Sequence, residues 1–515
     1  MSSISAEHPT VSDKNGPAAS GIEVIRGAGS QRPLFLVHDI HGQVAYAAAL
    51  VRHIDIDMPA YGLLGAAPHE ELPRTIEALA KRCIQLMRAQ QPEAPYRVAG
   101  VSFGGVLAYE IAIQLIGDDQ EVEFLGLIDA ICPSLQRDPQ PTNGMLSIEE
   151  EAGRYAQQHY SVQQLPIPVH VFSTQQDGGG WDAIVPRKRL SSIRVSGSPE
   201  SMLTPPHVAD LGQALGAAIR AATSGSSPQV TLLETTYRPH AGIQPGRPGH
   251  VPIFCIPGAG NSVTNFTSWA QAVGEEWPVH GLQPRGVTAD LVPHSTVQAA
   301  AAQYLGAIEE AHPSGPLHLV GHSFGGWGVL ELGHLLRARG RTVASLTVLD
   351  GDAPDTQGLP GGDYTAVEVL MELVDAMEMS AEQPLGIRAV DLAPLNDAAR
   401  LRLLHQALVR VGLMPSRSKS SVLIGIVRTF GTALRTAYRP AAQYQHPVRL
   451  VTVRDIRRDA DTDTRRREQL VRDWQRWAPR LSSWHAPGNH MTLLDHPHIT
   501  AVADWWRSGL PSAGD

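Results

Sequence analysis

A chain of 515 residues exceeds what one ordinary hydrophobic core supports, so two domains are expected. Apolar content of 43% with 18% charged residues fits a soluble globular protein, and a net charge of −9 gives no footprint for nucleic acid or an anionic membrane. No apolar run reaches membrane-span length, and Cys83, Cys132 and Cys255 lack metal-ligand spacing, so neither a membrane segment nor a metal site is expected.

In chain order, residues 1–20 are polar, lack an apolar signal region and read as a flexible lead of a cytoplasmic protein. Residues 33–38 (Pro-Leu-Phe-Leu-Val-His) form a candidate buried strand, and so do residues 252–257 (Pro-Ile-Phe-Cys-Ile-Pro), 219 positions later. Tyr61-Gly62-Leu63 pairs with His280-Gly281-Leu282 at the same offset. Gly-x-Ser-x-Gly occurs at 100–104 and again at 321–325, and Leu127-Ile128-Asp129 pairs with Val348-Leu349-Asp350, both 221 apart. A self-match of this length means a duplicated domain. Helices are expected over 70–89, 105–116, 297–310 and 327–338. Strands alternating with helices give a parallel sheet covered on both faces, an α/β fold in each copy.

The expected domains are 21–222 and 231–511, joined by a small-residue linker at 223–230. The second copy carries an inserted helical segment at about 355–440, with helical patterns at 366–378 and 397–412 and an apolar stretch Val422–Leu434. Its position between two sheet strands is that of a lid. The sheet resumes at 447–453. In the first copy the corresponding strand arrives early, at 168–172, so most of the lid is missing there.

Gly-x-Ser-x-Gly between an apolar run and a helical pattern is a nucleophile elbow. A serine needs a base to take its proton and a carboxylate to hold that base, and in α/β-hydrolases the chain order is Ser, Asp, His. The second copy supplies Ser323, Asp350 and His490 in that order, with Asp352, His485, His496 and His498 as nearby competitors. An oxyanion hole needs two backbone N–H donors, expected from Phe324 and Ala259. In the first copy, residues 197–207 align without a gap on 488–498, which puts Pro199 where His490 stands. Ser102 and Asp129 remain there without a base, and His38 and His41 are the available substitutes. The arginines at 457, 458 and 465–467 read first as a solvated helix face and second as a docking patch for an acidic partner.

The elbow Gly-His-Ser-Phe-Gly-Gly resembles the thioesterase domains that end nonribosomal peptide and polyketide synthetases. Ile256-Pro257-Gly258-Ala259-Gly260, the run Gly281–Gly286 and Gly-Asn-His-Met-Thr-Leu-Leu at 488–494 share the resemblance. The paired arrangement is similar to tandem thioesterases of some peptide synthetases. The resemblance implies two tandem α/β-hydrolase domains, the second active and the first degenerate. It also implies an acyl or peptidyl chain delivered on the phosphopantetheine arm of a carrier domain, moved to the serine, and released by water or by cyclisation. No cofactor of the protein's own is implied. The chain holds no visible carrier domain, so a carrier elsewhere, or a longer parent protein, is expected. A carboxylesterase, lipase or acyltransferase on free small molecules would use the same triad, and a non-catalytic scaffold is the remaining alternative.

Overall fold

The computed structural model describes residues 21–66, 70, 72–135, 146–175, 178–224, 237–288, 291–355 and 363–510. The expected lead 1–20 and linker residues from 225 onward lie outside them. The central strands are buried at nearly every position, because helices cover both faces of each sheet.

The first domain runs β1 (Ile22–Arg26), β2 (Leu34–Val37), α1 (Ala47–Val51), β3 (Ala60–Leu63), α2 (Ile76–Gln90), β4 (Tyr96–Val101), α3 (Phe103–Gly117), β5 (Val122–Ile128), α4 (Ile148–Gln158), β6 (Val169–Ser173), β7 (Leu190–Arg194) and α5 (His207–Thr223). The second runs β8 (His240–Gln244), β9 (Ile253–Ile256), α6 (Thr267–Val273), β10 (Val279–Leu282), α7 (Val297–Ala311), β11 (Leu317–His322), α8 (Gly325–Ala338) and β12 (Val343–Leu349). It continues with α9 (Ala366–Ala381), α10 (Ala389–Leu392), α11 (Asp397–Arg410), α12 (Leu423–Leu434), β13 (Val448–Thr452), α13 (Ala460–Trp477), β14 (Leu481–His485) and α14 (His498–Ser508).

Each domain holds a seven-stranded sheet, ordered β1-β3-β2-β4-β5-β6-β7 in one and β8-β10-β9-β11-β12-β13-β14 in the other. The orders are the same when each sheet is counted from its own first strand. Only the first pair in each sheet is antiparallel. The duplication extends to caps: Thr75 and Thr296 each accept the N–H three residues on, at 3.2 Å, and open α2 and α7. Among the described residues no helix is long and apolar enough to cross a membrane. All three cysteines are buried and unpaired.

The inserted segment is helical, as its periodicity indicates. Helices α9 to α12 bury Leu370, Leu373, Leu385, Leu404, Leu408 and Leu423 in a core of their own. The apolar stripes therefore do two things: they hold the lid together, and their remaining positions face the sheet's strand ends.

The domains share more than a linker. Val292 of the second domain belongs to the buried cluster of the first. Arg285, with no side-chain exposure, pairs with Asp119 at 2.5 Å. It also donates to the carbonyls of Ile116 and Gly117, at the C-terminal end of α3. A buried cation thus meets both a carboxylate and the negative end of a helix dipole. Arg285→Ala should therefore cost roughly 3 kcal/mol, because it strips a buried acceptor set of its donor. Denaturant titration of the full chain measures this.

Glu110 of α3 lies close to that interface, 3% exposed. It accepts hydrogen bonds from Tyr160 Oη at 2.7 Å and Gln114 Nε2 at 2.9 Å. Burial first, and the charge of Glu77 second, push its pKa from 4.5 up to about 8. Between those pH values the folded chain keeps a proton that the unfolded chain has released. Folding stability therefore falls as pH rises from 4.5 to about 8, and what is lost there is fully present below 4.5. Glu110→Gln should flatten that slope, read as the denaturant midpoint at several pH values.

Candidate active site

The site is built at the C-terminal ends of β11, β12 and β13. Ser323 follows β11 with φ +53°, a left-handed conformation for a residue that is not glycine. Its neighbours make room for it. A Cβ on Gly321 would collide with the carbonyl of Gly325, and one on Gly325 with the carbonyl of Ile256. Strand and helix can approach this closely only because both positions lack side chains. The Ser323 N–H is held by the carbonyl of Leu349 at 2.9 Å, which ties the turn to β12.

Asp350 ends β12, also with positive φ (+48°). Its side chain is 5% exposed, and Oδ1 accepts the N–H of Val453 at 3.1 Å. Oδ2 lies 2.7 Å from His490 Nδ1, and His490 Nε2 lies 3.0 Å from Ser323 Oγ. This network assigns the tautomer: the proton sits on Nδ1, leaving Nε2 free to accept the serine hydroxyl. The structure thus brings together the three residues named from the sequence. Asp352, His485, His496 and His498 make no hydrogen bond to Ser323 or His490 among the described residues. His498 instead packs its ring against Gly488, as His207 does against Gly197.

Phe324 opens α8 directly after the serine, and Ala259 lies in the loop after β9. Neither backbone N–H has an acceptor within the protein among the described residues. Both positions border the cleft that contains Ser323 Oγ.

Two supports were not named from the sequence. His322 Nε2 donates to the backbone carbonyl of His490 at 3.0 Å, while its Nδ1 is buried without a partner. Burial, and secondly the neighbouring His490, hold the His322 pKa down at about 3, so the ring stays neutral. Asn489 Oδ1 accepts the N–H groups of Met491 (2.8 Å) and Thr492 (3.1 Å), which closes the loop that presents His490. The histidine inside Gly-His-Ser and the asparagine before His490 were visible as motif letters, but the contacts they make are long-range.

The first domain keeps the frame, but among the described residues no histidine bonds its serine. Ser102 has φ +51° and Asp129 φ +48°, matching Ser323 and Asp350. The 197–207 loop repeats the backbone turns of its counterpart, though Ser198 Oγ donates to Glu200 where Asn489 Oδ1 accepts two N–H groups. Ser198 N–H reaches Ser201 Oγ at 2.9 Å, as Asn489 N–H reaches Thr492 Oγ1 at 3.0 Å. Pro199 occupies the place of His490 and offers no acceptor. The Asp129 N–H donates to the carbonyl of Phe172 at 2.8 Å, but its carboxylate bonds no histidine among the described residues, and burial, then Glu200, raise its pKa. His38 is buried against Phe103, and burial lowers its pKa. His41 is exposed, and neither histidine bonds Ser102. Above this elbow, Gly153 of α4 sits so close to Ile40 and Phe103 that a side chain there would clash with Ile40.

The second domain's cleft has a volume of about 920 Å³ between sheet and lid. Trp327, Leu373, Met377, Ile426, Phe430 and Tyr438 give it an apolar wall. The arginine cluster divides: Arg465 is exposed, whereas Arg457, Arg458 and Arg466 line the cleft beside Arg454. Arg457 and Arg458, in the turn after β13, are nonetheless 52% and 46% exposed, as a solvated face requires, and Arg466 on α13 is half-buried, so these three border both the cleft and solvent. Burial opposes the charge of Asp455, yet Arg457 and Arg458 hold its carboxyl down at about 2.

A strained serine at a strand–helix turn, with Asp and His in relay on a mostly parallel sheet, defines an α/β-hydrolase-type domain, and the first copy repeats the sheet and the turn without the histidine. The thioesterase-domain family matches residues 32–159 and 251–507, one match in each copy, and the chain belongs to that family. Among similar proteins, a dimodular nonribosomal peptide synthase of Bacillus subtilis (strain 168) is 36% identical over 134 residues, which is 24% of this chain and 6% of that protein. The nonribosomal peptide synthetase btyA of Aspergillus terreus (strain NIH 2624 / FGSC A1156) is 27% identical over 273 residues, or 52% of this chain and 28% of that one. The chain therefore spans only a small part of these relatives. A solved structure of the Vlm2 thioesterase domain is 19% identical, covers 53% of this chain and 98% of its own, and superposes with a TM-score of 0.40.

His322→Phe removes the donor to the His490 carbonyl and also removes a buried unpaired nitrogen. The fold should hold its stability, while labelling of Ser323 by a fluorophosphonate slows about tenfold as the base loses its position.

Proposed function

We propose that the second domain is a serine thioesterase that releases an acyl, peptidyl or polyketide chain from the phosphopantetheine arm of a carrier domain. One observation carries this reading: the relay Asp350–His490–Ser323, at 2.7 and 3.0 Å, opens into a cleft beside two unengaged backbone N–H groups.

In this reading Ser323 Oγ attacks the thioester carbonyl as its proton passes to His490 Nε2. The tetrahedral oxyanion is held by the N–H groups of Phe324 and Ala259. Asp350 stabilises the imidazolium that forms. When the intermediate collapses, the carbon–sulfur bond breaks and His490 returns the proton to the departing thiol, leaving an ester on Ser323. Water, or an amine or hydroxyl of the bound chain, then attacks that ester as His490 takes its proton; the bond to Ser323 Oγ breaks, His490 returns the proton to the serine, and the acid or the ring departs. The apolar wall of Trp327, Phe430 and Met377 supports a chain with substantial apolar surface and limits water near the ester.

The first domain, lacking a base at Pro199, has no part in acyl transfer. Ser323→Ala should lower turnover of an acyl-pantetheine thioester by on the order of 10⁴-fold or more, while Ser102→Ala leaves it unchanged. Equal losses would overturn the assignment. Faster turnover of simple oxygen esters than of acyl-carrier thioesters would favour an esterase.

A further inference from the structure

The first domain grips the lid of the second. Asp363, just ahead of α9, accepts the backbone N–H of Arg74 at 2.9 Å and the hydroxyl of Thr75 at 2.8 Å. Thr75 is the N-cap of α2, so a lid carboxylate sits at the positive end of a first-domain helix. Arg74 also faces Asp363 at 3.4 Å and Glu368 of α9 at 3.5 Å. Two residues beyond Thr75, Glu77 of α2 pairs with Arg435, which closes α12, at 2.9 Å. Arg435 in turn donates to the carbonyl of Tyr364 at 2.7 Å, so both ends of the insertion meet on a single turn of α2.

A second contact comes from the first domain's own short helix. The carbonyl of His159, which ends α4, accepts the N–H of Ala366 at 3.4 Å. Ser161 Oγ donates to Asp397, the first residue of α11, at 2.6 Å. The remnant of one lid thus bears on the lid of the other copy. The gripped helices are the ones that shape the cleft: Leu373 and Met377 of α9, and Ile426 and Phe430 of α12, line it.

We propose that the first domain is a lid anchor: the first turn of α2 and the segment after α4 fix the position of α9, α11 and α12, and with it the width of the cleft over Ser323. This assigns the base-less copy a task that needs its fold and not its serine. Its consequence for substrates rests on the thioesterase reading above. Bulky chains, which touch the lid, should feel the anchor, and an acetyl group should not.

The test uses the full chain carrying Asp363→Ala and Ser161→Ala, which remove the shared acceptor of the Arg74 N–H and Thr75 hydroxyl and the donor to Asp397, two substitutions away from the catalytic relay. Amide hydrogen exchange in α9 and α11 should speed up about tenfold, while exchange in β11 and β12 stays as in the parent. KM for dodecanoyl-pantetheine should change severalfold with little change for acetyl-pantetheine. Asp363→Glu with Ser161→Thr should keep both readouts near those of the parent. Unchanged exchange in the lid would overturn the proposal, and so would an equal rise in the lid and the central strands. Should the parent protein cleave neither thioester, the thioesterase reading fails by itself, and the exchange data still decide whether the anchor exists.

Discussion

Everything at the strand ends depends on one steric constraint: the start of helix α8 lies so close to β11 on one side and to the end of β9 on the other that no side chain fits at Gly321 or Gly325. The approach forces Ser323 into positive φ and lifts its hydroxyl clear of the sheet. Asp350 is bent in the same way at the next strand, and its second oxygen is tied to the N–H of Val453. Only the histidine arrives on a loop, and that loop is closed by Asn489 and held by His322. The relay is therefore rigid at the nucleophile and the acid, and adjustable at the base.

The same constraint explains what the first copy retained. Gly100, Gly104 and Gly105 meet backbone or side-chain atoms where a Cβ would go, so the turn at Ser102 is part of how that domain packs. A base on a surface loop carries no such duty. Proline at position 199 leaves the backbone turns of the loop as they are at 488–498. The elbow glycines, by contrast, serve the packing of each copy as well as the turn.

Much of this was legible in the sequence because it is written locally. The elbow, the strand-end aspartates, the two matched loops and the periodicity of the lid are all runs of fewer than twenty residues. The helix starts were less legible: α2 begins at Ile76, not near 70, because Thr75 takes the N-cap. What was not legible joins distant segments. Arg74 and Asp363 are 289 positions apart, and neither sits in a motif. Arg457 and Arg458 precede α13 in a turn while Arg466 lies on the helix, and that all three border the cleft depends on the fold rather than on their spacing.

Val292 offers a last consequence. It leaves the second domain's chain and completes the buried cluster of the first, beside the pair of Arg285 with Asp119. A boundary drawn along the linker would therefore cut through a hydrophobic core while sparing the covalent backbone. For anyone moving the triad-bearing domain into another protein, the portable part is the pair, and the copy without the histidine has to travel with the other.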